Sequence, residues 1–262
     1  MSLYIHETGN PNGQPIVFLH AVSTSSWMWM AQAERLADFR CLLVDLPGHG
    51  ESNQQPWISM QDTASQIAEL IRTRAGGKAH IVGLSLGAYV AAQILAGAPE
   101  VVDHAILSGL NVLPLPNTPL MKMMGYAMLP FFKTNPFIRM NAESLHIPEA
   151  ERANYARSVR QTAPSAFLRA SSNAVDFRLS QDLKRATCPT LVVAGENEVD
   201  LIRQSIALLI QTLPNARGYL APNVGHGWNG EAPDLFAQMI RAWVEDRPLP
   251  PELMPIGASE RA

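Results

Sequence analysis

Five short runs in this chain stay apolar from residue to residue where a half-buried strand would alternate: Ile16–Leu19, Leu42–Val44, His80–Val82, Ala105–Leu107 and Thr190–Ala194. Successive side chains of a strand point to opposite faces, so a run without alternation is covered on both sides. Parallel sheets meet that condition because their crossover helices lie on both faces. Helix candidates fill the intervals, at 26–38, 60–75, 86–97, 201–213 and 231–245. Ile67, Leu70 and Ile71 recur at helical spacing in the second of these, and Leu235, Phe236, Met239, Ile240 and Trp243 repeat the pattern in the last. An opening strand at Leu3–His6 is expected to turn back through Gly9–Gly13, a stretch dense in turn formers. Strand and helix in alternation predict a doubly wound α/β fold with right-handed crossovers.

Length and charge narrow the class further. A chain of 262 residues accommodates one large α/β domain with an insertion, or two small domains. The net charge is −3 and no block of Lys or Arg is present, which argues against nucleic acid as a partner. The longest apolar runs are too short, or too broken by Gly and Pro, to span a bilayer. Met1–Glu7 lacks the charged and apolar regions of a signal peptide, so a cytoplasmic location is expected. Cys41 and Cys188 each open an apolar run. No disulfide framework or metal-ligand spacing includes them, and both read as core thiols.

The chemistry is concentrated in a few short motifs. Gly83-Leu84-Ser85-Leu86-Gly87 is a G-x-S-x-G pentapeptide, preceded by the apolar run ending at Val82 and followed by an Ala-rich helix candidate. Strand, sharp turn and helix are the context in which a serine is held as an exposed nucleophile. Glycines two residues to either side remove side chains that would clash in so tight a turn. The helix N-terminus beside Ser85 favours a developing anion.

Serine needs a base. Among the seven histidines, His226 lies in a Gly-flanked loop after the last strand candidate and before the final helix. His6 and His146 read as surface residues, and His80 and His104 open strands in structural roles. The base in turn needs a fixed carboxylate. Glu196, Glu198 and Asp200 all follow the strand ending at Ala194; spacing favours Glu198, with Asp200 the alternative and Glu196 last.

Between Asn111 and Arg178 no convincing core strand occurs, and residues 113–140 are crowded with Pro, Met and Phe. This segment reads as a helical subdomain that caps the site and supplies an apolar pocket, since Met adapts to varied ligands. The domain reading is therefore a core of 1–110 and 181–246, a cap of 111–180 and a surface tail of 247–262. Met124, Met128 and Phe131 are pocket candidates, with Trp27.

With these residues in view, the chain resembles the α/β-hydrolase superfamily, in its esterase, enol-lactonase and cofactor-free haloperoxidase branch. Four further segments carry the likeness. Phe18–Val22 resembles the family's His-Gly-x turn, and Val44–Ser52 is close to its D-x-P-G-x-G-x-S loop. Pro189–Glu198 is similar to the acid-bearing strand and turn. Gly225 and His226, followed by Glu231, Pro233 and Phe236, are similar to the last loop and helix. The resemblance spans about 15–110 and 187–246. It implies an α/β-hydrolase fold with a helical cap inserted after the sixth strand, and an oxyanion hole made by the backbone N–H groups of Val22 and Leu86. Asp45 would organise its loop, and His20 and His49 would brace loops by hydrogen bonds. Two positions depart from the family pattern. Ala21 replaces Gly, so that loop is expected to take a different path. Glu198 replaces Asp, so its backbone must sit further back, or Asp200 acts instead.

The resemblance implies acyl transfer from a small-molecule ester or lactone to water, with neither cofactor nor metal. Serine at the turn argues against haloalkane dehalogenase and epoxide hydrolase chemistry, which need Asp there. C–C bond hydrolysis, perhydrolysis, thioester hydrolysis and lyase chemistry use the same Ser-His pair, and pocket residues decide among them. A non-catalytic ligand-binding relative would be expected to have a broken triad.

Overall fold

The computed structural model describes residues 2–256. The first half of the chain runs β1 (Ile5–Gly9), β2 (Pro15–Leu19), α1 (Met30–Arg35), β3 (Arg40–Val44), α2 (Met60–Arg74), β4 (Ala79–Leu84), α3 (Leu86–Gly97) and β5 (Val102–Ser108). Four helices follow without a strand: α4 (Thr118–Met128), α5 (Asn135–Ser144), α6 (Arg152–Gln161) and α7 (Pro164–Val175). The chain then returns to the sheet through β6 (Thr190–Gly195), α8 (Asp200–Thr212), β7 (Ala216–Ala221), α9 (Trp228–Glu231), α10 (Pro233–Val244) and β8 (Met254–Pro255).

One eight-stranded sheet results, in the order β1-β3-β2-β4-β5-β6-β7-β8. Strands β2 to β7 are parallel, and the edge strands β1 and β8 are antiparallel to their neighbours. The strand pattern now has a physical cause. In β2, Val17 and Leu19 join the cluster under α2, α3 and α8, whereas Ile16 and Phe18 join the one under α1 and α10. In β3, Leu42 and Val44 face the first cluster and Cys41 and Leu43 the second. All eight are fully buried, each large aliphatic or aromatic among them worth about 1.5–3 kcal/mol of transfer.

Helix α3 runs through the middle of the first cluster with nearly every residue buried, and its small Ala88, Ala91 and Ala92 allow close approach. Helix α10 is amphipathic, placing Phe236, Met239, Ile240 and Trp243 against the opposite face. The chain order leaves β2 toward β3 on one side and returns to β4 on the other. Ligands of open α/β sheets bind at the carboxyl ends of the strands at such a reversal. The loop after β2 and the turn after β4 both lie there.

Several expectations need correction. The opening strand is Ile5–Gly9, and it pairs with β3 rather than folding back as a hairpin onto β2. Because the segment before β2 supplies a single strand, the helical insertion follows the fifth strand and not the sixth. β7 escaped notice because Arg217 and Gly218 interrupt it and several of its residues are half-buried near the sheet edge. The tail is not wholly superficial: Leu253 is buried, Met254 and Pro255 pair with β7, and Ile256 donates to the Gly218 carbonyl. Proline suits an edge strand because it lacks a ladder donor. Residues 257–262 of that expected tail lie outside the described residues. Cys41 is a core thiol pushed up to about 12 by burial, but Cys188 is only partly buried.

The insertion contains its own small core of Phe132, Ile138, Ala142, Tyr155 and Val159. Helix α7 belongs to the main core through Ala166 and Ala170. Helix α4 buries none of its residues, and Met121, Met123, Met124, Tyr126 and Met128 face solvent.

Candidate active site

Ser85 joins β4 to α3 at φ 54 and ψ −115, backbone that a side chain adopts only under strain. Both neighbouring glycines are sterically required. A Cβ on Gly83 would lie 2.4 Å from the Gly87 carbonyl oxygen, and one on Gly87 would lie 1.9 Å from that of Leu19. The Ser85 amide donates to the Ser108 carbonyl at 2.8 Å, which ties the turn to the end of β5.

His226 and Glu198 approach from the ends of β7 and β6. His226 Nδ1 lies 2.7 Å from Glu198 Oε1, and the Glu198 side chain is buried. Asp200, the alternative carboxylate, sits at the start of α8, exposed and paired with Arg203. Glu196 accepts instead from the Asn223 amide at 2.9 Å. Glu198 reaches the ring although it is one methylene longer than Asp.

Three residues, Trp228, Asn229 and Glu231, fix the His226 loop through four hydrogen bonds. Trp228 is buried beneath it and donates from Nε1 to Ser108 Oγ at 3.0 Å. Asn229 donates from Nδ2 to the Met28 carbonyl, and its own carbonyl accepts from Gln32 Nε2 at 2.7 Å. Glu231 Oε1 accepts from the Gly225 amide at 3.0 Å. Behind the pair, Gly109 has φ +66, and a Cβ there would stand 3.0 Å from Glu198 Oε1 and 3.1 Å from His226 Cε1. Gly109 and Asn229 were not foreseen. The signal for Gly109 was a lone glycine directly after a buried strand.

The loop after β2 completes the surround. Among the described residues, neither the Val22 nor the Leu86 amide has a hydrogen-bond acceptor, and Val22 lines the same cavity as Ser85. Ala21 does not require the conformation that glycine favours, because the left-handed residue of this loop is Ser23, at φ 59. His20 Nδ1 donates to the Ala21 carbonyl at 2.8 Å, and its Nε2 accepts from the Leu46 amide at 2.9 Å. Burial lowers this ring to about 4, the backbone bond only partly opposing it, so it is neutral. Burial with the neighbouring His20 takes His49 to about 3. Asp45 accepts from the Ser26 and Glu51 amides and holds the next loop in register.

Ser85 and His226 open together into a cavity of about 260 Å³. Its apolar wall comes from Trp27, Met28, Leu84, Leu145, Ile147 and Pro148. Leu145 to Pro148 connect α5 to α6, so the insertion does wall the cavity, but through a different segment than expected. Met124, Met128 and Phe131 do not line it: they point to solvent at 57%, 44% and 54% exposure. Their apolarity was legible and their direction was not. Trp27 lines the cavity and donates from Nε1 to Ser158 Oγ on α6 at 2.6 Å, linking the loop after β2 to the insertion.

A family description of the alpha/beta hydrolase family matches residues 16–239. A pimeloyl-(acyl-carrier protein) methyl ester esterase of Nitrosomonas europaea is 28% identical over 255 residues, covering 92% of this chain and 99% of that protein. Among solved structures, a thermophilic esterase from Thermogutta terrifontis superposes with TM-score 0.77 at 25% identity, covering 93% of each chain. An enol-lactonase from Burkholderia xenovorans superposes with TM-score 0.75 at 18% identity over 93% of this chain and 96% of its own. Among the described residues no helix is long and apolar enough to cross a membrane. With the match running from β2 into α10, the chain belongs to the α/β hydrolase family and is a hydrolase.

Proposed function

We propose that this hydrolase cleaves carboxylic ester or lactone bonds of small to medium apolar substrates through an acyl-enzyme on Ser85. The observation that carries this reading is the convergence of a strained Ser85 and the His226–Glu198 pair on one apolar cavity. In it, His226 Nε2 takes the Ser85 proton as Oγ attacks the carbonyl, and Glu198 holds Nδ1–H and stabilises the imidazolium. The Val22 and Leu86 amides receive the oxyanion, each such donor being worth about 3–4 kcal/mol in a well-studied protease. His226 then protonates the leaving alkoxide, and water releases the acid by the reverse of the first step. The helices of 111–180 act as a cap whose Leu145–Pro148 stretch excludes water from the acyl group. The methyl ester esterase among the relatives supports an ester substrate.

The test is turnover of p-nitrophenyl esters from acetate to decanoate and of simple lactones, with Ser85→Ala beside the native chain. Turnover abolished by the substitution, with a fluorophosphonate labelling Ser85, is the expected result. No turnover of any ester or lactone, with Ser85 unlabelled, overturns the proposal.

A further inference from the structure

At the end of the sheet opposite Ser85, the first residues of β4 and β5 bring two imidazoles and a carboxylate together. His80 Nδ1 and His104 Nδ1 each lie 3.7 Å from Asp103 Oδ2. One ligating atom from each of the three residues lies within 4.8 Å of the others. Both histidines are buried, at 2% and 8% exposure, and among the described residues neither Nδ1 has a hydrogen-bond partner. The 3.7 Å separations are too long to be hydrogen bonds. A buried nitrogen left in this state is unfavourable and calls for an explanation.

His104 supplies a further clue. Its Nε2 lies 3.3 Å from Asp246 Oδ1, and an ionised carboxylate only accepts, so Nε2 carries the proton. In the neutral ring Nδ1 then presents a bare lone pair toward another carboxylate oxygen. Two acceptors facing each other repel unless a cation lies between them, and 3.7 Å is too wide for a shared proton.

We propose that His80 Nδ1, His104 Nδ1 and Asp103 Oδ2 bind a divalent transition cation, with Zn²⁺ the best match. Zinc takes imidazole nitrogen and carboxylate oxygen at about 2.0–2.2 Å, which sets neighbouring donors of a tetrahedral ion about 3.4 Å apart. The nitrogen-to-oxygen pairs reach that spacing by small side-chain rotations. Calcium and magnesium favour oxygen ligands and fit two nitrogens poorly. The Asp246 carboxylate behind His104 is the outer brace that metal-bound histidines commonly have. Lys78 Nζ contacts Asp103 at Oδ1, 3.0 Å away, and leaves Oδ2 for the ion. The Asp103 side chain is 41% exposed, which gives the ion an entry path and leaves its fourth position to water.

Four residues of β4 lie between His80 and Ser85, so the two are five steps, or about 16 Å of strand, apart. The ion therefore joins the starts of β4 and β5 to each other and takes no part in turnover. This site stands independently of the proposed ester chemistry.

Isothermal titration of ZnCl₂ into the chelator-treated, desalted full chain tests the proposal. One Zn²⁺ per chain is expected, with a raised melting temperature. His104→Gln and Asp103→Asn should each weaken binding at least tenfold, with unchanged circular dichroism. His146→Gln, an exposed control beside Glu231, should bind as the native chain does. No zinc bound, or equal affinity in the native chain and Asp103→Asn, overturns the proposal. Asp103 is half-exposed, so this second variant decides the matter even where His104→Gln fails to fold.

Discussion

His226 Nδ1 and Glu198 Oε1, 28 residues apart in sequence, meet at 2.7 Å where the loops after β6 and β7 come together. Glu198 is buried there, whereas Asp200, two residues on, is exposed and engaged by Arg203. Removing the charge of the buried partner while keeping its shape should leave the ring in the wrong tautomer. Glu198→Gln is expected to lower kcat by about 10³–10⁴-fold, as the equivalent change does in a serine protease. Asp200→Asn should stay within about twofold, as expected of a surface substitution away from the reacting groups. Steady-state kinetics on a p-nitrophenyl ester decide between them, and the opposite order would move the acid to Asp200.

Gly109 sits against this pair. An alanine there brings a methyl group to 3.0 Å from Glu198 Oε1 and 3.1 Å from His226 Cε1, on backbone at φ +66. The carboxylate or the ring must give way by a few tenths of an ångström. Small misplacements of reacting groups cost up to about 10²-fold, so Gly109→Ala should lower kcat by about 10–100-fold. A melting temperature reduced by only a few degrees would show that the fold survives. An unchanged kcat would mean that the pair has room to shift.

What the sequence made legible follows from which constraints are local. Strands β2 to β6 were visible because each residue must be apolar to face one of two buried clusters. The Ser85 turn was visible because Gly83 and Gly87 are each excluded from having a Cβ by a carbonyl nearby. β7 was hidden because an outer strand, with Arg217 and Gly218 in it, carries no such demand. Direction was hidden as well. Composition marked Met124, Met128 and Phe131 as apolar, but only the packing of α4 and the turn after it leaves them facing outward, and the cavity takes Leu145 and Ile147 instead. For the partner of His226, spacing favoured Glu198 over Asp200 and Glu196 but left Asp200 open, because the loop paths that bury one and expose the other are encoded by no local pattern.

The cavity wall gives a prediction about chain length. Ala31 on α1 faces the cavity, so Ala31→Phe fills part of the space available to the acyl chain. Each buried methylene is worth about 0.8 kcal/mol, so losing room for two or more should cost at least about tenfold in kcat/KM. The loss should appear with decanoate and be absent with acetate. Met124→Ala, Met128→Ala and Phe131→Ala should leave the profile within about twofold, because exposed side chains contribute little. A shifted profile in these three, and none in Ala31→Phe, would place the acyl site along α4.

Acid should destabilise the protein through histidines near the active-site loops. Burial lowers His20 to about 4 and His49 to about 3, whereas both titrate near 6.5 in the unfolded chain. Between those values the unfolded state binds protons that the folded state refuses. The stability associated with the neutral rings is therefore complete above pH 6.5 and is lost as pH falls toward 4. Each ring contributes a slope of at most about 1.4 kcal/mol per pH unit across that window. Among the described residues His49 Nε2 has no partner, and Nδ1 meets the Pro47 carbonyl at 3.0 Å, a contact that glutamine can replace by donating from its amide. His49→Gln should therefore fold and lose its share of the slope. Urea unfolding at intervals from pH 7 to pH 5 measures it. A native chain whose stability is flat over that range, or a variant with an identical slope, would show that His49 is not the group being charged.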